Sequence, residues 1–264
     1  MKRIVLAAAL VALGSASALA ADLPARGYAK APAMAAATNW SGLYIGGNVG
    51  YGWGNNSTDF EFLPTPVAFG INNATLDNRS KSIVGGAQIG YNWQIGSLVS
   101  GLEADVQGAG LKGEAGPVTA TIASNGITNG QPFVPSALTT SHELSWFGTV
   151  RGRLGVTITP DLLIYGTGGL AYGGIKAAAA ANFPGDGGLF AVTTNTTKAG
   201  WTAGAGAEWM FARNWSAKAE YLHVDLGNMS AATLGTQSIP PFATKATWHN
   251  QYDIVRAGVN YHFN

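Results

Sequence analysis

The sequence predicts an all-β protein: an eight-stranded antiparallel up-and-down transmembrane β-barrel with three short periplasmic turns and four long extracellular loops. Three observations support this fold class. Apolar and polar residues alternate with a period of two, short and long connections follow one another, and tryptophans lie near the ends of the alternating segments. This period is typical of strands with one apolar face, and about ten tilted residues are enough to cross a bilayer.

The first residues have the order of a secretory signal peptide. Two basic residues, Lys2 and Arg3, precede an apolar stretch that ends at Leu13, and small residues follow it up to Ala20. The apolar stretch is too short for a transmembrane helix, which needs roughly 20 apolar residues. We therefore expect a signal peptide (1–20), a flexible Ala/Pro-rich leader (21–39) and the outer-membrane barrel (40–264).

Each predicted strand except the fifth has one apolar and one polar face. In the first strand, Leu43 to Trp53, the odd positions are mostly large and apolar, whereas the even positions are mostly glycine, with one asparagine and one tyrosine. The fifth strand is apolar on both faces, so its inward face stays open. The predicted strands are Leu43–Trp53, Ile83–Trp93, Leu98–Val106, Trp146–Val156, Leu162–Tyr172, Trp201–Trp209, Ala217–Tyr221 and Val255–Phe263.

The connections alternate in length, as in outer-membrane barrels. Tight turns are predicted at Ile95–Ser97, Thr157–Asp161 and Ala212–Asn214. Long polar loops, rich in Gly, Asn, Thr and Pro, are predicted at Asn55–Lys81, Ala109–Glu143, Ala177–Lys198 and Gly227–Gln251. Because the number of strands is even, both termini are expected on the periplasmic side.

The eight tryptophans predict two aromatic girdles at the membrane interfaces. Indole is apolar with one N–H donor, so it favours the level of the lipid headgroups. With the first strand running outward, the extracellular group is Trp53, Trp146, Trp201 and Trp248. The periplasmic group is Trp40, Trp93, Trp209 and Trp215.

Composition excludes several classes of function. The 264 residues include no cysteine, so the chain has no disulfide, no thiolate metal site and no cysteine nucleophile. Fifteen basic and 14 acidic residues give a formal net charge of +1, without the basic surplus that nucleic-acid binding needs. Abundant glycine (37 residues) and only 11% charged residues suit a β protein whose outer surface faces lipid.

Four acidic and four basic residues are predicted to point into the lumen. They are Glu103, Asp105, Glu208, Glu220, Arg151, Arg153, Lys218 and Arg256. Facing lipid near the bilayer midplane, each would cost roughly 2–4 kcal/mol. An eight-stranded barrel is just wide enough for its own side chains. These charges therefore predict a salt-bridged plug, whereas a selective ion path would require a gap or a movable pair.

No pattern in the sequence indicates an enzyme. His142 and His249 lie in or near predicted loops, His262 lies beside the chain end, and His223 lies close to Asp225 in the sequence. A His/Asp pair can activate a nucleophile, but no Gly-x-Ser-x-Gly motif accompanies this one. No His/Asp/Glu spacing matches a metal site. We expect no catalytic residues, no metal and no cofactor.

Five segments of the sequence match motifs of a known family: Trp40–Trp53, Gly200–Glu208, Asn214–Tyr221, Val224–Gly227 and Val255–Phe263. They resemble the small alphaproteobacterial outer-membrane β-barrel proteins, a porin family. The resemblance implies an outer-membrane barrel related in architecture to the barrel of outer-membrane protein A. The resemblance implies an abundant surface antigen and envelope component. Some members bind hemin, but this sequence has no specific motif for it. His142 and His249 are the candidate ligands if both lie in extracellular loops.

The resemblance also implies a barrel-assembly signal in the last strand. The family's signal, a glycine followed by two alternating aromatic residues, maps to Gly258, Tyr261 and Phe263, and Asn264 follows the phenylalanine. The expected partners are outer-membrane lipid and lipopolysaccharide, the barrel-assembly machinery and a surface ligand of unknown identity.

Two functional classes stay open at this stage. The first is a structural and surface-interaction protein of the cell outer membrane with a closed lumen. The second is a small-solute pore, or a protein that binds or takes up a ligand such as hemin. A soluble lipocalin-like barrel is less favoured, because that fold keeps its apolar face inside.

Overall fold

The computed structural model describes residues 38–63, 74–122, 134–183, 188–234 and 243–263. In these ranges eight antiparallel strands form a closed barrel in chain order, with β1 paired to β8. The strands are β1 Gly42–Leu63, β2 Ala74–Ile95, β3 Leu98–Ile122, β4 Val134–Thr159, β5 Leu162–Phe183, β6 Gly188–Ala212, β7 Trp215–Leu234 and β8 Ala243–His262. The predicted eight-stranded barrel is confirmed.

The expected signal peptide and nearly all of the leader lie outside the described residues. Within the described ranges, no helix is long and apolar enough to cross a membrane.

The three tight turns lie at one end of the barrel, as predicted. β2 and β3 are joined by Gly96 and Ser97, β4 and β5 by Pro160 and Asp161, and β6 and β7 by Arg213 and Asn214. Gly96 has a φ of +61°, a conformation that glycine adopts without a Cβ penalty. We call this end of the molecule the turn end.

The apolar face of the strands points outward next to the turn end. Val49 is 60% exposed, Leu154 60% and Leu170 68%. The structure also settles the inward face of the fifth strand. Leu163 and Tyr165 are buried inside, whereas Leu170 points out.

The strands are 20 to 26 residues long, about twice the predicted length. The segments predicted as long loops are largely paired strands that prolong four hairpins away from the turn end. The loop prediction was wrong there because apolar and polar residues continue to alternate. In these segments, however, the apolar residues point inward and the polar ones outward. In β8, for example, Thr244, Ala246 and Trp248 point inward while Lys245 and His249 point outward.

We call these prolonged segments the hairpin extension and the remainder the barrel proper. The described residues of the hairpin extension are 54–63, 74–81, 109–122, 134–145, 175–183, 188–200, 226–234 and 243–252.

The closed ring of strands divides into two sheets in the hairpin extension. The β2–β3 pairing ends at Gly85 and Gly108, and the β6–β7 pairing ends at Trp201 and Asp225. Beyond these points β7, β8, β1 and β2 form one sheet, and β3 to β6 form the other. The barrel therefore continues as two four-stranded sheets packed face to face.

A bulged glycine lies at the start of each separation. Gly110 of β3 has a φ of +56° at the register shift between Gly108 and Leu111. Gly227 of β7 has a φ of +69° at the shift after Asp225. Bulges bend a strand and end its pairing, so these two glycines explain where the ring opens.

Candidate functional site

The lumen of the barrel proper contains the eight charged residues that were predicted to point inward. Strand alternation places each of them on the inner face, and each is between 0 and 5% exposed. They are Glu103 and Asp105 on β3, Arg151 and Arg153 on β4, Glu208 on β6, Lys218 and Glu220 on β7, and Arg256 on β8. Four negative and four positive groups thus share one buried space.

Arg151 is at the centre of this charge network. Its Nη2 bonds to Glu103 and lies 3.0 Å from Asp105 Oδ2, while its Nη1 lies 3.0 Å from Glu220 Oε1. A guanidinium holds five N–H donors in fixed directions, so it can bind several carboxylates at once. Through Arg151, β4 is connected to its neighbour β3 and to β7 across the lumen.

Arg256 and Lys218 bind the same carboxylates from other directions. Arg256 Nε donates to Glu220 Oε2 at 2.8 Å, and its Nη2 donates to Asp105 Oδ2 at 2.9 Å. Lys218 Nζ lies 3.0 Å from Glu103 Oε2. Each of these three carboxylates therefore faces at least two cations.

Arg153 and Glu208 form a second group nearer the turn end. Arg153 Nη2 lies 2.6 Å from Glu208 Oε2, and its guanidinium carbon lies 4.0 Å above the ring of Tyr165. Glu208 also accepts hydrogen bonds from Ser216 Oγ and Asn260 Nδ2, each at 2.6 Å. Glu208 is thus fully engaged by one cation and two neutral donors.

Several polar residues of this network were not singled out from the sequence. Tyr44 Oη donates to Glu103 Oε2 at 2.7 Å and accepts a bond from Arg153 Nη1 at 3.0 Å. Thr149 Oγ1 donates to Asp105 Oδ2 at 2.9 Å. Both residues could have been found from the sequence, because they lie on the polar face of their predicted strands. Uncharged polar residues on that face must form hydrogen bonds with the charged ones.

Apolar layers close the lumen on both sides of the charges. At the turn end, Trp40, Val99, Leu163, Tyr165 and Met210 form a small buried cluster. In the hairpin extension and the adjoining part of the barrel proper, a much larger core joins the two sheets. Its fully buried members include Leu111, Leu144, Phe147, Ile175, Leu222, Val224 and Trp248.

Two tryptophans assigned to the membrane girdles belong to these layers instead. Trp40 is fully buried, and its Nε1 donates to the carbonyl oxygen of Pro160 at 3.0 Å. Trp248 is 1% exposed, and its Nε1 bonds to Thr140 Oγ1 at 3.1 Å. The girdle prediction was wrong for both, because Trp40 precedes the first strand and Trp248 lies on the inner face of β8.

The other tryptophans point outward to different degrees. Trp53 is half-buried, and the exposed ones are Trp93 (48%), Trp146 (38%), Trp201 (51%), Trp209 (55%) and Trp215 (46%). Near the turn end Trp215 packs against Tyr261 with ring centroids 5.1 Å apart. That these residues mark the membrane interfaces stays a prediction.

The histidines predicted in or near loops lie on strands. His142 is 2% exposed on the inner face of β4, where Asn250 Oδ1 lies 2.7 Å from its Nε2. Burial lowers the pKa of His142, and the bond to Asn250 opposes this only in part. His249 points outward from β8, with its Nε2 2.9 Å from Asp59 Oδ2. Hydrogen bonds from His249 and Thr75 lower the pKa of Asp59.

His223 and His262 also have partners in strands rather than in a catalytic arrangement. His223 Nδ1 lies 2.9 Å from Asp253 Oδ1, not beside its sequence neighbour Asp225. His262 Nε2 and Glu208 Oε1 both contact Ser216 Oγ, and all three residues are fully buried. Glu208 Oε1 also lies 3.4 Å from the same His262 Nε2 that contacts the hydroxyl, so the carboxylate does not bond to the opposite ring nitrogen as it does in a nucleophile triad. Among the described residues, no cluster of His, Asp or Glu is placed to hold a metal ion.

Comparison with known proteins identifies relatives over the whole chain. The family described as outer membrane protein beta-barrel domain matches residues 6–263. The 31 kDa outer-membrane immunogenic protein of Brucella melitensis is 37% identical over 265 residues, covering 100% of both chains. The 22 kDa outer membrane protein of Rhizobium leguminosarum is 30% identical and covers 72% of this chain and 65% of the relative.

Solved structures with a similar course of the chain are more distant. The outer membrane protein OprG of Pseudomonas aeruginosa is 11% identical with a TM-score of 0.48, covering 86% of this chain and 100% of that one. Ail, the attachment invasion locus protein of Yersinia pestis, is 12% identical with a TM-score of 0.32, covering 84% and 99%.

Proposed function

Because the chain belongs to the outer membrane protein β-barrel family and is an outer-membrane protein, we propose that it is a structural and surface-interaction component of the envelope whose lumen is closed to solutes. Its relatives in Brucella are named as immunogenic proteins, not as enzymes. We propose that this chain likewise presents its hairpin extension at the cell surface.

The observation that carries the proposal is the filling of the lumen. A solute crossing the barrel would meet the apolar layer at Trp40, then the charge network around Arg151, then the core around Leu144. An ion would have to break several buried ion pairs, and exposing or leaving unpaired any one buried charge is costly.

The pore and hemin alternatives have less support. A pore would need a continuous polar path, whereas two apolar layers flank the charges. Hemin would need an accessible histidine, whereas His142 is buried against Asn250 and His249 is paired with Asp59. We therefore favour the closed envelope protein.

The orientation is part of this proposal, with both termini in the periplasm and the hairpin extension outside. Two features support it. The number of strands is even, and the first and last described segments meet at the turn end, where Trp40 packs edge-on against His262. The short connections of outer-membrane barrels are periplasmic.

The natural absence of cysteine allows a direct test of orientation. We expect Thr193→Cys, on the exposed face of the hairpin extension, to react with a membrane-impermeant maleimide on intact cells. Ser97→Cys, at the exposed turn end, is the matched control and should react only after lysis. Labelling in the reverse pattern would overturn the orientation.

Conductance in a planar bilayer tests the closed lumen. We expect the purified, folded protein to give no steady ion current at voltages where a porin control conducts. Lys112→Ala, which removes a cation from the outer surface, should be equally silent. A steady current through the wild-type protein would contradict the proposal.

We also propose that Gly258, Tyr261 and Phe263 serve as the barrel-assembly signal. Tyr261 on β8 and Phe263, which directly follows β8, have ring centroids 5.0 Å apart, so they form a continuous aromatic surface at the turn end. Such a surface supports recognition by the assembly machinery. Replacing both with Ser should lower the amount of folded protein in the outer membrane without changing the stability of the protein refolded in detergent.

A further inference from the structure

Charged residues on the outer face of the hairpin extension are unevenly distributed around the barrel. On four adjacent strands, β2 to β5, the first charged side chains above the apolar face are Lys81, Lys112, Glu143 and Lys176. On β7 and β8, the corresponding side chains are Asp225 and Asp253, which lie at the end of the barrel proper, next to the hairpin extension. Beyond the apolar outer face, the first charged side chains are therefore mostly lysines on one side of the molecule and aspartates on the other.

The lysines outnumber the acidic group between them. In the strand register Glu143 lies directly between Lys112 and Lys176, and Lys112 Nζ is 3.4 Å from Glu143 Oε2. Partial burial opposes ionisation of Glu143, but hydrogen bonds from Ser145 and Lys112 hold its pKa below the usual value. A single ionised Glu143 thus leaves the row with an excess of positive charge.

Arg79 adds a cation on β2, whereas Asp77 and Glu114 lie one outward position further along β2 and β3, so the excess of positive charge is confined to the part of this face nearest the barrel proper. Arg79 is exposed on the outer face, one outward position beyond Lys81. Among the described residues, neither Arg79 nor Lys81 has an acidic side chain within ion-pair distance. β2 lies close to β3 here, because Asn78 Nδ2 donates to the carbonyl oxygen of Gly113 at 3.1 Å. The side chains of Arg79, Lys81 and Lys112 therefore occupy neighbouring strands.

A groove adjoins these lysines. A cavity of about 240 Å³ is lined by Lys112, Glu114, Ser141, Glu143, Lys176 and Thr193. It continues into a space of about 390 Å³ lined largely by small residues, including Thr139, Ser141, Ala178, Ala180 and Thr193. The groove thus has an end with two lysines near the barrel proper and a second end lined mainly by small side chains, several of them with hydroxyls, with Glu114 shared by both ends.

The position of the groove relative to the lipid identifies its occupant. Trp146 of β4 and Tyr172 of β5 are exposed on the same outer face, one or two outward positions below Glu143 and Lys176. Aromatic side chains of this kind lie at the headgroup level in membrane barrels. The lysine row therefore lies where the phosphates of the outer leaflet lie, and the groove extends toward the sugars.

We propose that this face, comprising Arg79, Lys81, Lys112, Lys176 and the adjoining groove, binds the phosphorylated headgroup of lipopolysaccharide. Lys81, Lys112 and Lys176 contact the phosphates, and the Thr- and Ser-lined end accepts sugar hydroxyls. The inference rests on the proposed orientation, with the hairpin extension outside. The aspartates on β7 and β8 repel the same headgroup, so the barrel has one preferred lipopolysaccharide-binding side.

A binding titration with matched variants tests the proposal. Folded protein in detergent is titrated with purified lipopolysaccharide, with its enzymatically dephosphorylated form, and with inorganic phosphate alone. Each basic residue near an anionic lipid surface contributes about fivefold to affinity. We expect Lys112→Ala to lose about fivefold, and the triple variant Lys81→Ala, Lys112→Ala, Lys176→Ala to lose about 100-fold.

The chain offers a closely matched control for the single substitution. Lys245 also points outward from the hairpin extension and pairs with a glutamate, Glu61, at 2.9 Å. It lies on β8, in the sheet that does not contain Lys112, and β1 separates it from β2. We expect Lys245→Ala to bind lipopolysaccharide as the wild type does. The wild type should bind dephosphorylated lipopolysaccharide more weakly than intact lipopolysaccharide. Its affinity for intact lipopolysaccharide should fall as the salt concentration rises.

Three results with lipopolysaccharide would overturn the proposal. They are equal binding by the triple variant and the wild type, equal losses in Lys112→Ala and Lys245→Ala, and equal affinity of the wild type for intact and dephosphorylated lipopolysaccharide. Inorganic phosphate that binds as tightly as lipopolysaccharide would assign the site to a free anion and would also overturn it. The cysteine-labelling experiment uses neither lipopolysaccharide nor these lysines, and the conductance experiment is decided by the current through the wild-type lumen. A failure here is therefore separable from a failure of the proposed function.

Discussion

The barrel proper and the hairpin extension bury opposite kinds of side chain, although the same eight strands build both. On β4, Arg151 lies inside the barrel proper at 1% exposure while Leu154 lies outside at 60%. Further along the same strand Leu144 is buried at 0%, and Glu143 points outward beside Lys112. The polarity of the alternation therefore reverses within one strand, close to Trp146.

The medium outside the strands accounts for the reversal. Next to lipid, apolar side chains gain nothing by turning inward, and charged ones are costly on the lipid face. Next to water, burial of apolar surface again drives packing, at roughly 25 cal/mol per Å². We therefore expect the point of reversal to mark where the surroundings change from hydrocarbon to water.

The two regions also differ in how their strands are paired. The barrel proper is a closed ring, which leaves no unpaired edge in the lipid. The hairpin extension is two packed sheets that separate after Gly110 and Gly227. Open sheet edges are tolerated there because water can satisfy the backbone groups.

The largest expected effect comes from breaking the charge network of the barrel proper. Arg151→Ala leaves Glu103, Asp105 and Glu220 short of one shared cation, and removing one partner of a buried ion pair costs about 3–5 kcal/mol. We expect the folded form to lose its heat-resistant gel mobility at a lower temperature, and guanidinium unfolding in detergent to shift accordingly. We expect the main effect of this substitution on the stability of the barrel, with little change in its conductance.

Lys112→Ala is the control for Arg151→Ala, because it removes a positive charge from an exposed ion pair whose worth is about 0–1 kcal/mol. A thermal transition of Arg151→Ala that coincides with that of the wild type would show that the network does not hold the barrel together.

A core substitution in the hairpin extension should act locally. Leu144→Ala removes a fully buried side chain between the two sheets, with a typical cost of about 2–5 kcal/mol. We expect faster hydrogen exchange and proteolysis in the hairpin extension, while the barrel proper keeps its heat-modifiable mobility. Thr193→Ala, on the outer face of the same sheet, should leave both unchanged. Loss of the whole barrel in Leu144→Ala would show that the two regions unfold as one unit.

The sequence was sufficient to predict the barrel proper but not the hairpin extension. Inward charges such as Glu103 and Arg151 are visible because alternation with a lipid-facing apolar side fixes the inner face. Phe190 and Trp248 lie in a continued alternation of opposite polarity, made mostly of Ala, Thr and Asn, and this composition is equally typical of loops. The pairing of His223 with Asp253 was also hidden, because the two residues meet only through the β7–β8 register.

Substitutions of the two bulged glycines test what determines the point at which the ring of strands separates into two sheets. Gly110→Ala and Gly227→Ala each place a Cβ at positive φ, which costs roughly 1–2 kcal/mol for an L-residue. We expect a small loss of stability, with increased hydrogen exchange at the separation of the β2–β3 or β6–β7 pair. Gly47→Ala, on the outer face of β1 where a Cβ has room, should be neutral. Equal effects of all three substitutions would mean that the bulges do not determine where the sheets part.

The smallest expected effect is the pH dependence that His142 gives to the hairpin extension. Burial lowers its pKa in the folded protein, whereas in the unfolded chain it titrates near the ordinary value of about 6.5. As pH falls through that value, the unfolded chain takes up the proton more readily, so stability decreases until the pH passes the lower pKa of the folded state.

Unfolding by guanidinium at pH 7.5 and pH 5.5, followed by tryptophan fluorescence, measures this contribution. We expect the wild type to lose stability on acidification and His142→Gln, which keeps a donor for Asn250, to lose less. His249→Gln is the control, because His249 lies on the outer face beside Asp59 and should leave the loss nearly as large as in the wild type. If His142→Gln and the wild type lose the same stability, protonation of His142 does not cause the acid sensitivity of the hairpin extension. That sensitivity must then come from outward pairs such as His249 and Asp59.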